Sequence, residues 1–211
     1  LDWSTKRNDI SSVLQDFPRM PADIYHRGPD DSVLVADEHM TSVHTRLSIV
    51  GGSAGAQPIV NEDGSKYALF VGEVYNWRDL AATLRTRHRF KTTSDGEVLL
   101  HGYEEEGLHF FRRVDGMFAL AIRDLKHNQL ILARDRLGIK PLFWTVDGYR
   151  VTFGTEIKSV DCLLGRSSVL SWRRAWQMIG QPARYPGPCW IGIEEVEPGT
   201  AAIFMPGQTP I

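Results

Sequence analysis

Apolar and polar positions alternate in the chain with two periods, and the most informative stretch is Tyr67-Ala68-Leu69-Phe70-Val71. It is apolar, aromatic and uncharged, which predicts a buried strand that stops at Gly72, where backbone can approach a ligand closely. Glu73 follows at once. Asn76 stands where an N-cap would stand, ahead of a helical run over 77–86 in which Trp77, Leu80, Ala81 and Leu84 form one stripe. A strand end, a glycine and an acid together mark the candidate active site.

The same periods organise the rest. Val13, Leu14, Phe17 and Met20 predict an amphipathic helix over 11–20, shortened by Pro18 and Pro21. Strands are predicted over 32–36 and 41–50, the second with Val43, Leu47 and Ile49 on one face and Arg46 and Ser48 on the other. A short strand over 90–93 precedes a helix opened by Ser94-Asp95-Gly96-Glu97, read as a capping box with Ser94 as cap, and closed by Gly107. A third helix follows over 108–114. Strands over 117–123 and 129–134 meet at a turn, and 141–146 pairs with 149–153 across Asp147-Gly148. Helices are expected over 156–164 and 172–179, the latter capped by Ser171, with weak strand signals at 190–193 and 201–205. Short strands in hairpins, with helices grouped between them, indicate an α+β fold in layers with largely antiparallel sheets.

Composition narrows the function. The 211 residues are 42% hydrophobic and 24% charged, enough for a substantial core. A formal net charge of −2, with no basic run interleaved with aromatics, argues against a nucleic-acid partner and for a small-molecule ligand. No apolar run approaches the roughly 20 residues that span a bilayer, and the start lacks a signal-peptide pattern, so no membrane association is expected. Cys162 and Cys189 offer neither a disulfide framework nor zinc spacing; each is read as a small buried hydrophobe, in a reducing, cytoplasmic setting. Gly51-Gly52-Ser53-Ala54-Gly55-Ala56 lacks the ending of a phosphate loop. His39 and His44 lie five apart and His101 and His109 eight apart, which makes no metal site by local spacing, and no metal is expected.

Five ordered motifs carry a resemblance. His26-Arg27-Gly28-Pro29-Asp30, Arg46-Leu47-Ser48-Ile49-Val50, Gly72-Glu73-Val74-Tyr75-Asn76, Ser94-Asp95-Gly96-Glu97-Val98 and Ala133-Arg134-Asp135-Arg136-Leu137-Gly138-Ile139-Lys140-Pro141-Leu142 occur in the order seen in class II glutamine amidotransferase domains. Phe153-Gly154-Thr155-Glu156-Ile157-Lys158 and Glu197-Pro198-Gly199 continue it over nearly the whole chain. The sequence most resembles the N-terminal domain of glutamine-hydrolysing asparagine synthetases. That resemblance implies an N-terminal-nucleophile fold, a four-layer αββα sandwich spanning 1–211. It implies a mechanism in which an N-terminal Cys thiolate, with its own α-amine as base, attacks the carboxamide of glutamine and releases ammonia through a thioester. Arg46 would clamp the α-carboxylate, Glu73 and Asp95 would hold the α-ammonium, and Gly72 would supply a backbone oxyanion donor. The domain itself would need no cofactor. ATP and Mg belong to a synthetase domain that receives the ammonia and is not among these residues, and the resemblance leaves room for a homodimer.

Two departures from the family pattern bear on the chemistry. The Cys-Gly-Ile-type start is absent, and Leu1-Asp2-Trp3 resembles the end of the first strand, as though roughly six residues preceded it. Val71 stands where the family has its oxyanion Asn, and valine has no donor. Gly51 also replaces an Asp after the Arg-Leu-Ser-Ile-Val run. Besides a glutaminase domain, these departures leave a second expectation: an inactive relative that serves as structural or regulatory domain of an amide- or lactam-forming ligase. Arg134, Asp135 and Arg136, and Glu156 with Lys158, are expected to form structural ion pairs or to face the synthetase domain.

Overall fold

The central strand β4, Lys66–Val74, runs two residues past the expected stop: the chain stays extended through Gly72 and Glu73 to Val74. Glycine permits this continuation, because Gly72 adopts a φ of 142° that side chains rarely tolerate. The computed structural model describes residues 24–47, 55–165, 167–180 and 187–211. The helix expected over 11–20, most of the loop over 51–56 and the end of the 41–50 strand lie outside the described residues.

β4 belongs to a five-stranded antiparallel sheet in the order β10-β6-β5-β4-β3, formed by Ile59–Val60 (β3), Gly116–Asp124 (β5), Gln129–Arg134 (β6) and Ala201–Phe204 (β10). Period-two alternation gives it two apolar faces. Ala68, Phe70, Val74, Phe118, Leu120 and Ile122 face a helical layer built by α1, Trp77–Leu84, and α2, Glu97–Glu106. Tyr67, Leu69, Ala119, Ala121, Leu130 and Leu132 face the opposite way, against a second sheet layer. That layer contains the hairpin of β1, Asp31–Ala36, with β2, Thr41–Arg46, and a three-stranded sheet in the order β8-β7-β9. The latter comprises Phe143–Asp147 (β7), Arg150–Gly154 (β8) and Glu194–Glu195 (β9). Helix α3, Ile157–Leu164, packs on β7 and β8. Helix, sheet, sheet and helix thus stack in the four-layer α+β arrangement expected from sequence.

Side-chain hydrogen bonds revise several local expectations. Residues 90–93 form no strand; instead the Lys91 and Thr92 backbone N–H groups donate to the carboxylate of buried Glu97, at 2.6 and 2.8 Å. Glu97 is therefore not the partner of a Ser94 capping box. Helix α2 begins after Gly96, and Ser94 Oγ accepts only the Gly96 N–H, at 3.3 Å. Asn76 precedes α1 but does not cap it with its side chain. Its amide donates to the Arg113 carbonyl and accepts the Asp115 N–H, pinning the far end of the third helix, which is a 3-10 helix over Gly107–Arg113. Ser171 does cap Trp172–Gly180 (α4), accepting the Arg174 N–H at 3.4 Å. In β2 the buried face carries Ser42 and His44, not Val43. Cys189 is buried as expected, whereas Cys162 is half-buried.

The long basic motif is structural. Buried Arg134 donates to the carbonyls of Lys140, Gly138 and Val196 and pairs with Glu195 at 2.6 Å. Asp135 accepts from the N–H groups of Phe118, Leu137, Ile139 and Lys140. Burial alone would raise its carboxyl, but these four donors hold it below the ordinary carboxylate range. Arg136 reaches the Arg112 carbonyl. Glu156 pairs with Lys158 at 3.2 Å and also with His26 and Arg27, at 2.7 and 3.5 Å, which joins two of the sequence motifs to each other. No described helix is long and apolar enough to cross a membrane.

Candidate functional site

Between the two sheet layers, where the apolar inter-sheet core gives out at the end of β4, lies a cavity of about 600 Å³. Alternation along β4 sends Tyr67 and Leu69 into that core and places Val71 and Glu73 on the same face, at the cavity wall. Arg46, Gly72 and Asp95 line the same cavity. The structure therefore brings together all four residues that the resemblance assigned to glutamine, although Arg46 and Asp95 are far apart in the chain.

Each is fixed by its own local structure. Arg46 ends β2, where Asp30 donates its N–H to the Arg46 carbonyl at 3.1 Å. The turn ahead of it fits only because Gly28 has no side chain: a Cβ there would lie 2.4 Å from the Arg46 nitrogen. Asp95 is buried just before α2, and its carboxylate accepts the Val74 N–H at 2.6 Å. Burial pushes the Asp95 carboxyl above its ordinary value; the Val74 and Gly96 N–H groups oppose this and the neighbouring Glu73 charge reinforces it. No cation pairs with Glu73 or Asp95 among the described residues.

Gly72 is constrained twice, by its positive φ and by contact, since a Cβ would lie 1.9 Å from the Met117 carbonyl oxygen. Its backbone orientation follows from the register. Gly72 stands opposite Phe118, whose N–H and C=O are both engaged by Asp135 on the far side. The pair is thus a non-hydrogen-bonded one, and the polar groups of Gly72 point away from β5. They share that edge with Phe70 and Val74, whose N–H groups are taken by the side chains of Gln57 and Asp95. For Gly72 no such side-chain acceptor is present among the described residues.

Buried His44 also lines the cavity. Burial, and then the Arg46 charge, lower it to about 4, so it is neutral at pH 7. No sequence signal pointed to His44, because its position on β2 has meaning only through the cavity. The residues described so far can recognise a zwitterion: a guanidinium for an anion, two acids for a cation and a backbone donor beside them.

Residues 3–210 match the family model described as the glutamine amidotransferase domain. This chain belongs to that family. Over 207 residues the amidotransferase domain is 37% identical to the glutamine-hydrolyzing asparagine synthetase 3 of Bacillus subtilis (strain 168), covering 96% of this chain and 34% of that protein. It is 47% identical over 137 residues to the asparagine synthetase 2 of the same organism, covering 65% of this chain and 18% of the relative. The domain therefore spans about a third or less of these relatives' length. Among solved structures, it superposes on a glutamine phosphoribosylpyrophosphate amidotransferase from B. subtilis with a TM-score of 0.56 at 19% identity, over 80% of this chain and 33% of that one. An allosteric regulatory enzyme of purine biosynthesis gives 0.58 at 20% identity, with the same coverage. These likenesses establish the α+β N-terminal-nucleophile amidotransferase fold.

Proposed function

We propose that this domain binds glutamine in the cavity at the end of β4 and, within a longer asparagine synthetase-like protein, releases its amide nitrogen as ammonia for ATP-dependent amide formation. The observation that carries this reading is the convergence of Arg46, Glu73, Asp95 and Gly72 on one cavity. Arg46 meets the α-carboxylate as a planar fork, and Glu73 with Asp95 meets the α-ammonium. The γ-carboxamide then extends toward Gly72, whose N–H donates to the amide oxygen as negative charge develops there during attack. The attacking thiolate would be that of an amino-terminal cysteine, as the family resemblance implies. It bonds to the amide carbon after the cysteine's own α-amine has taken the thiol proton, ammonia leaves with that proton returned from the cysteine's α-ammonium, and water cleaves the thioester to glutamate and the free thiol. ATP and Mg would act in the synthetase portion, not in this domain.

Val71 favours a second reading, a pocket that binds glutamine with weak hydrolysis, because valine offers the oxyanion no donor. Calorimetry with glutamine tests the pocket. Arg46→Ala should weaken binding on the order of 100-fold, the effect of losing two charge-assisted hydrogen bonds; a wild-type chain that takes up no glutamine would reject both readings. Glutaminase assays of the whole protein separate them. Val71→Asn should raise turnover by about 10²-fold if Gly72 is half of an oxyanion site, and unchanged turnover would remove that role.

A further inference from the structure

A second cluster of charged side chains lies outside the cavity, where the helical layer meets the β3–β4 turn. Glu62 comes from that turn, His88 from the link between α1 and α2, and His101 and Glu104 from successive turns of α2. One ligand atom of each lies within 4.8 Å of all the others. His88 Nδ1 is 3.2 Å from Glu62 and 3.8 Å from Glu104, while His101 Nδ1 is 3.7 Å from Glu62 and 3.1 Å from Glu104. A tetrahedral ion with bonds of about 2.1 Å sets its ligand atoms about 3.4 Å apart, which is the middle of this range.

The surroundings are those of metal-ligating histidines. The rings of His88 and His101 stack, 4.5 Å between centroids, so their Nδ1 atoms meet the same two carboxylates. Each Nε2 is oriented by a further carboxylate, Glu105 for His88 at 3.2 Å and Glu97 for His101 at 3.4 Å. Such carboxylate–histidine pairs fix ring orientation and raise basicity at the ligating nitrogen. Glu104 is itself held by the Asn61 amide at 2.6 Å, and Glu62 by the Arg89 N–H at 2.8 Å. Among the described residues, the four carboxylates of Glu62, Glu97, Glu104 and Glu105 meet one guanidinium, that of Arg87 on Glu105. The remaining carboxylate charge suits one dication between the two rings.

We propose that Glu62, His88, His101 and Glu104 bind a single divalent transition metal, zinc by its two-nitrogen, two-oxygen donor set, as a closed structural site that fastens α2 to the β3–β4 turn. All four positions come from the protein, which leaves none for a catalytic water. His101 is buried and His88 nearly so, while Glu62 is 35% exposed and gives the route of entry.

Zinc titration of the full chain after chelator treatment tests the site. One equivalent should bind and raise the thermal midpoint, and cobalt should give the visible absorption of a tetrahedral site. His88→Asn and Glu62→Gln, at the more exposed positions, should remain folded and lose at least tenfold, roughly, in zinc affinity; His101→Asn should lose more. Should His101→Asn fail to fold, the other two variants decide. No stoichiometric zinc in the wild type, or equal affinity in His88→Asn, would overturn the proposal, the latter by placing the ion at other histidines.

Discussion

The cavity wall and the outer cluster bury similar groups and treat their charge in opposite ways. At the cavity, like stands beside like: burial first, and then Arg46 beside His44 and Glu73 beside Asp95, lowers His44 to about 4 and raises the Asp95 carboxyl. In the outer cluster, opposites alternate. Burial there pulls His101 down, but bonds from Glu104 and Glu97 with the Glu62 charge raise it to about 9, and the same contacts hold Glu97 and Glu104 below the ordinary range. Burial opposes the charged form in both places; a like-charged neighbour reinforces it at the cavity, and opposite partners overcome it in the outer cluster. A wall with its cationic and acidic groups sorted into separate places suits an outside molecule that carries both charges. The outer cluster shares its cations internally, whether protons or a metal.

The contrast can be broken most severely at Gly72. Gly72→Ala forces a side chain toward the Met117 carbonyl at a positive φ and should cost about 3 kcal/mol or more, read by urea denaturation; an unchanged midpoint would contradict the strand geometry. Next come two isosteric neutralisations near the head of α2. Glu97→Gln removes a carboxylate that accepts two backbone N–H groups and should destabilise by about 1–3 kcal/mol. Asp95→Asn removes a charge the fold disfavours, so at pH 7 it should leave stability equal or higher while glutamine binding collapses. If both variants lost stability alike, the contrast between the regions would fail.

pH sharpens the same difference. The folded His44 sits at about 4, below its ordinary 6.5, so its contribution to stability is present above pH 6.5 and is lost as pH falls toward 4. His101, raised to about 9, contributes fully below pH 6.5 and loses that contribution as pH rises through 9. Denaturation of metal-free protein should therefore show a stability maximum between these limits, with the two imidazoles titrating on opposite sides by NMR. The smallest effect is expected at Lys126, whose pairing with Asp63 is more than half exposed. Lys126→Ala should leave the midpoint within error.

Strands were legible because their apolar runs are local, and β4 through β8 stand near their expected bounds. Gly72, Glu73, Asp95 and Arg46 were legible through motif order, and the cavity then supplied the reason they belong together. What escaped was everything settled between elements. Residues 90–93 look like a strand until Glu97 takes their N–H groups. His88 and His101 are thirteen positions apart, and Glu62 comes from another hairpin, so no spacing rule along the chain could join them.

Gln57 carries a further consequence. Its side-chain amide donates to the Phe70 carbonyl and accepts the Phe70 N–H, at 2.5 and 2.6 Å, as a neighbouring strand would. Asn61 takes the Lys66 N–H and Asp95 the Val74 N–H along the same border, where β3 covers little of β4. An open strand border is a template for another chain. Here a foreign strand would first have to evict three side chains, so sheet extension between copies is suppressed. Among the described residues, the gap remaining at Gly72 is one residue wide, enough for the oxygen of a small molecule and too narrow for a peptide.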